Sequence, residues 1–356
     1  MAEAASLAFS DLSSYPTVFD PKTLHRKGLC PVTAIDHKNQ QRENPSTSAS
    51  PLQSHSLYFE IHGNGPEKII LIMGLNASSF GWLPILQYFT NVNSADGSDK
   101  YSVLVFDNRG VGNSGTPRGP YTTSGMAHDV VILLDYVGWT SPRQIHIGYT
   151  LQVGISLGGM ISLELASIIA PRAASLILIV TSAGGYFWNN LAPWKGVSSL
   201  ARLTFIKEPE KKIPILLPML YPQAFLDSPA IEYDEPSLTN YEVLKPRVLK
   251  RITTTRPQEL MGALSQMYAG LGHYVSPDRL AKISKSIPKV LILTGDQDNL
   301  IRPANSHWLA HCMPEAEFVV WKDAGHGILG QRPKEVRELF TRVMLEGRKK
   351  STSESE

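Results

Sequence analysis

The sequence predicts an α/β fold: a mostly parallel central sheet flanked by helices, with a mainly helical cap inserted late in the chain. Three observations carry this. Short apolar runs closed by Gly or Asp recur, as in KIILIMG (68–74), YSVLVFD (101–107) and KVLILTG (289–295), the pattern of strands buried on both faces. Between them stand stretches with apolar residues at helical spacing, SFGWLPILQYF (79–89) and SGMAHDVVILLDYVG (124–138). Finally, about a hundred residues rich in aromatics, Met and Pro separate two consecutive strands, too many for a loop in a compact domain.

In chain order, residues 1–54 end in HKNQQRENPSTSASPLQS (37–54), whose polar side chains cannot build a core, and are expected to form a flexible leader. Regular patterning begins with SLYFEIHG (56–63), so the first part of the core is placed at 55–184. Ser124 is positioned to cap the second helix, and ASLILIVT (174–181) is a further buried strand. The cap is placed at 185–285. Its Phe187, Trp188, Trp194, Met219, Tyr221, Phe225, Met261, Met267 and Tyr268 are expected in the cap's own core, with an apolar acyl or alkyl pocket as the alternative. The second part of the core, 286–346, supplies KVLILTG, AEFVVWKD (316–323) and a final helix in RPKEVRELFTRVMLEGRKK (332–350). A disordered tail is expected at 347–356.

Composition narrows the function. A net charge of +2, from 34 basic and 32 acidic residues, gives no electrostatic case for nucleic acid. Two cysteines, Cys30 and Cys312, support neither a disulfide scaffold nor a thiolate metal site, which makes a reducing compartment, the cytoplasm, the default. No apolar run approaches the roughly 18 residues that a membrane helix needs. The first 21 residues hold no Lys or Arg, which disfavours a secretory signal or an import presequence.

The chemistry concentrates in three places. GISLGG (154–159) sets Ser156 between small residues just before a helical pattern, as a serine on a tight strand-to-helix turn requires. LILTGDQDNLIRP (291–303) ends a strand and offers Asp296 and Asp298; VVWKDAGHGILGQRP (319–333) ends the next and offers His326. Groups that do chemistry on parallel sheets sit beyond the carboxyl ends of strands. His326 would take the Ser156 proton and return it to the leaving group, while an acid holds the imidazole and stabilises the imidazolium.

With DNRGVGNSG (107–115), these motifs resemble the α/β-hydrolase superfamily over residues 57–345, the cap excepted, and within it the serine esterase and lipase-like branch. The resemblance implies a triad of Ser156, Asp298 and His326, with Asp298 preferred to Asp296 because it precedes a proline by five residues. It also implies an oxyanion hole from the backbone N–H of Leu157 and of Leu75, in a loop where Gly74-Leu75-Asn76 replaces the His-Gly of many relatives. Asn76 is either a plain turn residue or a functional one that contacts substrate or fixes the loop, and Arg109 a structural one. The function so implied is hydrolysis of a carboxylic ester with an apolar acyl or alcohol part through an acyl-enzyme. Lactone, thioester or carbon–carbon bond hydrolysis, and a non-enzymatic small-ligand binding protein, are the alternatives. No cofactor is expected; the dispersed His128, His146, His273, His307 and His311 form no metal-ligand pattern, and the oligomeric state is open.

One irregularity precedes Ser156. GYTLQ (148–152) separates QIHI from VGISLGG, where an apolar strand would run straight into the turn. LQVGI is expected to pair in the sheet, with HIGYT expelled as a loop.

Overall fold

The apolar runs become strands of one mixed sheet. The computed structural model describes residues 15–34, 53–90, 100–140, 145–148 and 157–353. In chain order the strands are β1 (Leu24–Ala34), β2 (Gln53–His62), β3 (Glu67–Leu71), β4 (Tyr101–Phe106), β5 (Ile145–Gly148) and β6 (Ala173–Ile179). A separate short pair follows, β7 (Pro229–Ala230) and β8 (Glu235–Thr239), then β9 (Lys289–Gly295) and β10 (Glu317–Trp321). The eight-stranded order is β1-β2-β4-β3-β5-β6-β9-β10; β1, β2 and β4 pair antiparallel and every later neighbour is parallel.

Period-two alternation sends successive residues to opposite faces. Ile70, Leu104, Leu176 and Ile292 pack beneath α2 (Thr123–Tyr136) and α3 (Leu157–Ile169), with Met126, Leu133, Met160 and Leu163. Ile69, Leu71, Val103, Ile177 and Leu291 meet α1 (Leu83–Phe89) on the other face, together with the final helix. Covered faces explain why these strands read as unbroken apolar runs.

The cap is helical: α4 (Trp194–Phe205), α5 (Pro209–Leu220), α6 (Gln223–Asp227), α7 (Asn240–Thr254) and α8 (Leu260–Leu271). It has its own small core, in which Ile213, Leu217 and Leu220 of α5 meet Leu244 and Val248 of α7. α9 (Pro277–Ser286) begins within the span expected for the cap but packs on α3, where Arg279 pairs with Glu164 at 2.6 Å. α10 (Pro303–Cys312), α11 (Ile328–Gln331) and α12 (Pro333–Ser353) complete the second part of the core.

Four expectations need correction. Within the stretch read as a flexible leader, β1 pairs along β2; Gly28, Cys30 and Val32 are buried and alternate with exposed Pro31 and Thr33, a period hidden by Arg26, Lys27 and an edge-strand proline. The remainder of that leader, 1–14 and 35–52, lies outside the described residues. The expected disordered tail is helix as far as Ser353, because Gly347 brings α12 so close to β6 that a β-carbon there would lie 2.5 Å from the Ala174 carbonyl oxygen. Thr122, not Ser124, caps α2, its hydroxyl accepting the Gly125 N–H at 3.0 Å. Finally, Ile145–Gly148 pair in the sheet between β3 and β6, with Gly148 opposite Leu71 and Ile177, so His146–Gly148 are not expelled; a ladder on both sides satisfies their backbone. Residues 149–156, with LQVGI and Ser156, lie outside the described residues.

Candidate active site

β9 and β10 run parallel with Gly295 opposite Trp321, so the two loops that follow them leave the sheet side by side. Gly295 is what lets them approach: a β-carbon there would overlap the Ala324 carbonyl. Asp296 N–H donates to Trp321 O at 3.1 Å and Gln297 N–H to Ala324 O at 2.9 Å, stitching the loops together. The result is a buried contact between Asp298 Oδ2 and His326 Nδ1 at 2.7 Å, with both side chains 0% exposed. The other carboxylate oxygen, Oδ1, accepts the N–H of Leu300 at 2.7 Å and of Ile301 at 2.9 Å, which fixes the carboxylate plane. Asp296 is exposed, and among the described residues its carboxylate accepts only the Ala324 N–H, at 3.3 Å. Among the described residues His326 Nε2 has no hydrogen-bond partner, although it is buried.

The cap fastens the histidine loop. Gly327 N–H donates to Leu220 O at 2.9 Å, and Gly325 lies where a β-carbon would come within 2.6 Å of the same oxygen. At Gly327 a β-carbon would come within 2.7 Å of the Tyr221 ring. Burial of that ring pushes the Tyr221 phenol up to about 12. From the core side, Gln331 Oε1 accepts Gly325 N–H at 2.9 Å while its Nε2 donates to Asp323 O at 2.6 Å.

The described half of GISLGG is the first turn of α3. Leu157 is buried there, and Gly159 abuts β6's end so closely that a β-carbon would be 2.5 Å from Thr181 Cβ and 2.8 Å from its Cγ2. That approach explains the glycine.

The loop after β3 is held from three sides. Asn76 has φ 55°, in the left-handed region that asparagine tolerates better than most residues. Its N–H donates to Gln266 Oε1 at 2.8 Å, and its Oδ1 accepts from Gln258 Nε2 at 3.0 Å. Gln266 Nε2 also donates to Arg109 O at 2.7 Å, so one cap side chain bridges the Leu75–Asn76 loop and DNRGVGNSG. Asn108 Nδ2 donates to Met73 O at 2.8 Å. Asp107 is fully buried, which pushes its pKa up, and accepts the N–H of Ser79 at 2.7 Å and of Asn113 at 2.8 Å. Arg109 has the structural role expected of it: its guanidinium pairs with Asp129 at 2.5 and 2.6 Å. Gln258 and Gln266 were not legible as loop-fixing residues, because nothing in QELMGALSQ distinguishes such an amide from a surface one.

A cavity of about 660 Å3 opens between α1, α7 and the start of α12, with Phe80, Tyr88, Tyr221, Tyr233, Arg247 and Arg251 among its walls. Tyr221, Leu329 and Gly330 place its edge against the histidine loop, but Asp298 and His326 do not line it. Among the described residues no group of three or more His, Cys, Asp or Glu could hold a metal ion, and no helix is long and apolar enough to cross a membrane.

Comparison with known proteins identifies the family. The family model described as the alpha/beta hydrolase family matches residues 61–339. The chain belongs to the alpha/beta hydrolase family. As a member it is an enzyme, a hydrolase of the serine-hydrolase-like branch with an inserted helical cap. A poly(3-hydroxyalkanoate) depolymerase of Ectopseudomonas oleovorans is 27% identical over 70% of this hydrolase and 77% of its own length. Among solved structures, a thermophilic esterase from Thermogutta terrifontis superposes with a TM-score of 0.63 at 21% identity, over 91% of this hydrolase and 100% of the esterase. An enol-lactonase from Burkholderia xenovorans does so with a TM-score of 0.59 at 21% identity, over 82% and 97% of the two chains. At these identities the structural likeness is one of fold.

Proposed function

We propose that this hydrolase cleaves a carboxylic ester with an apolar acyl or alcohol part through an acyl-enzyme on Ser156. The observation that carries the reading is the buried Asp298–His326 contact at 2.7 Å, with the second imidazole nitrogen left without a partner among the described residues. Ser156 is joined by a single peptide bond to Leu157, the first residue of α3. In this reading Asp298 accepts the Nδ1 proton and orients the ring. His326 Nε2 then removes the Ser156 Oγ proton as Oγ attacks the ester carbonyl carbon, and gives that proton to the departing alcohol. Water, deprotonated by the same nitrogen, attacks the acyl-enzyme; the acid leaves and the proton returns to Ser156.

The oxyanion of each tetrahedral intermediate is assigned to the N–H of Leu157, at a helix N-terminus where the backbone dipole favours negative charge, and to the N–H of Leu75. Asn76 cannot serve as the second donor, since its N–H is committed to Gln266. An ester substrate is consistent with the depolymerase relative, whose name describes a polyester.

The reading extends to organisation and place: a core at 55–184 and 286–346, joined by β1, α9 and the rest of α12, flanking a cap that begins at 185 and ends before α9, in the cytoplasm, where the buried free thiols of Cys30 and Cys312 would stay reduced. Fluorophosphonate labelling, mapped by mass spectrometry, tests the nucleophile. An adduct on Ser156 and turnover of short or medium acyl esters are expected. A folded protein labelled elsewhere, or binding esters without turnover, overturns the proposal. Parallel lactone and thioester panels separate the bond types that one triad can cleave.

A further inference from the structure

The aromatic residues expected in the cap's core divide into two groups. Met219 and Tyr221 are buried, whereas Trp188 is 65% and Trp194 82% exposed, and Phe205, at the far end of α4, is 80% exposed. These side chains are not scattered. Trp194, Ala201 and Phe205 are exposed at i, i+7 and i+11, one stripe of α4. On α8, Leu260, Leu264 and Tyr268 are exposed at i, i+4 and i+8, a second stripe. The turn at Phe187–Asn190 joins the two: Asn190 Nδ2 donates to Leu271 O at the end of α8 at 2.9 Å, and four residues later the chain enters α4. Exposed apolar stripes on elements linked in this way mark an interaction site.

We propose that this face of the cap docks on the surface of an anionic lipid bilayer. Charge identifies the occupant. From Tyr186 to Lys207 the sequence YFWNNLAPWKGVSSLARLTFIK holds three basic residues, Lys195, Arg202 and Lys207, and no acidic one. Lys195 and Arg202 are exposed and each follows a residue of the α4 stripe, so they flank the apolar side chains along one edge. Tryptophan and tyrosine favour the boundary between headgroups and acyl chains, and long basic side chains reach back to the headgroups, the division of labour of an interfacial amphipathic helix.

Docking would serve the site, because the same two helices rest on its loops. At Gly196 of α4 a β-carbon would lie 2.6 Å from the Asn299 carbonyl oxygen, next to Asp298, and at Gly262 of α8 one would lie 2.5 Å from that of Gly110. The inference stands on exposure and charge and does not require the ester reading.

The test is sedimentation of the full chain with vesicles of phosphatidylcholine alone or mixed with phosphatidylserine, with tryptophan emission read in parallel. Binding to the phosphatidylserine vesicles, a blue shift, and weakening by added salt are expected. Lys195→Gln and Arg202→Gln should each reduce partitioning about fivefold, the gain typical of one basic residue at such a surface. The double change Trp194→Ala and Phe205→Ala should reduce it by about tenfold or more while leaving the melting temperature unchanged, since both side chains contact solvent. Absence of binding to phosphatidylserine vesicles overturns the proposal, as does equal binding to both vesicle types. A dimer in solution that the double change disperses, without vesicle binding by the wild type, would assign the face to a second copy.

Discussion

Gln266 of the cap accepts the backbone N–H of Asn76 through its side-chain oxygen at 2.8 Å, across 190 positions of sequence. Its amide nitrogen is spent on Arg109 O at 2.7 Å, so neither end of the group is free to rotate. A cap residue thereby sets the plane of the peptide beside Leu75. The cap is part of the site's scaffold as well as its cover.

Gln266→Leu should therefore lower kcat of an ester substrate with little change in KM. Removing an oxyanion donor outright costs about 100- to 1,000-fold. Loosening the peptide next to the one that carries a donor should cost about 10- to 100-fold. Steady-state kinetics on a short acyl ester check this; a rise in KM alone would mean that Gln266 contacts substrate and does not position the loop.

The two candidate acids separate cleanly. Asp298→Asn should lower kcat about 10⁴-fold, the effect of replacing the aspartate of a serine–histidine–aspartate triad, because the amide favours the wrong imidazole tautomer. Asp296→Asn removes an exposed carboxylate with one long contact and should change activity by about twofold. The opposite ranking would transfer the role to Asp296.

Much of this was legible in the sequence. Strands buried on both faces announce themselves as apolar runs, and a Gly-Asp-x-Asp run at one strand's end with an Ala-Gly-His run at the next places Asp298 and His326 on neighbouring loops. β1 was not legible: an edge strand needs one buried face only, and Gly28, Cys30 and Val32 carry too little apolar bulk to stand out among Arg26, Lys27 and Pro31. The sheet position of His146–Gly148 was misjudged for a different reason. Sequence comparison weighs where an insertion interrupts a motif, whereas the ladder rewards whichever residues find partners on both sides, here β3 and β6. The cap was legible as an insertion but its inside and outside were not, since α4 and α8 expose the aromatic and Met residues that a soluble helix would bury.

Gly159→Ala should destabilise the fold, since its β-carbon would enter the space held by Thr181 at 2.5 and 2.8 Å. Overpacking of this kind costs about 1 to 3 kcal/mol. Chemical denaturation should show an earlier midpoint at an unchanged slope, and fluorophosphonate labelling should slow if α3 shifts. An unaffected midpoint would mean that α3 can retreat from β6 without loss.

His273 gives the stability of this hydrolase a pH dependence of known sign. It is 1% exposed where the cap's end meets α2, its Nδ1 within 2.9 Å of Thr123 Oγ1 and its carbonyl accepting from Asn190 Nδ2 at 3.0 Å. Burial first, and the nearby Arg279 charge second, lower its pKa from 6.5 to about 3. The folded protein therefore refuses a proton that the unfolded chain accepts. Between those two values the unfolded state binds more protons, so stability falls as pH falls and is unaffected by this group above the upper one. Glu317, held down to about 2 by its hydrogen bond to Arg342 and by Lys289, against an ordinary value of 4.5, adds a loss of the same sign at more acidic pH. The interval from 4.5 to 6.5 thus isolates the histidine from that pair. His273→Gln should keep a hydrogen-bonding group near Thr123 and flatten the decline of melting temperature across this interval relative to wild type. Parallel declines in the two proteins would show that His273 becomes protonated within the fold.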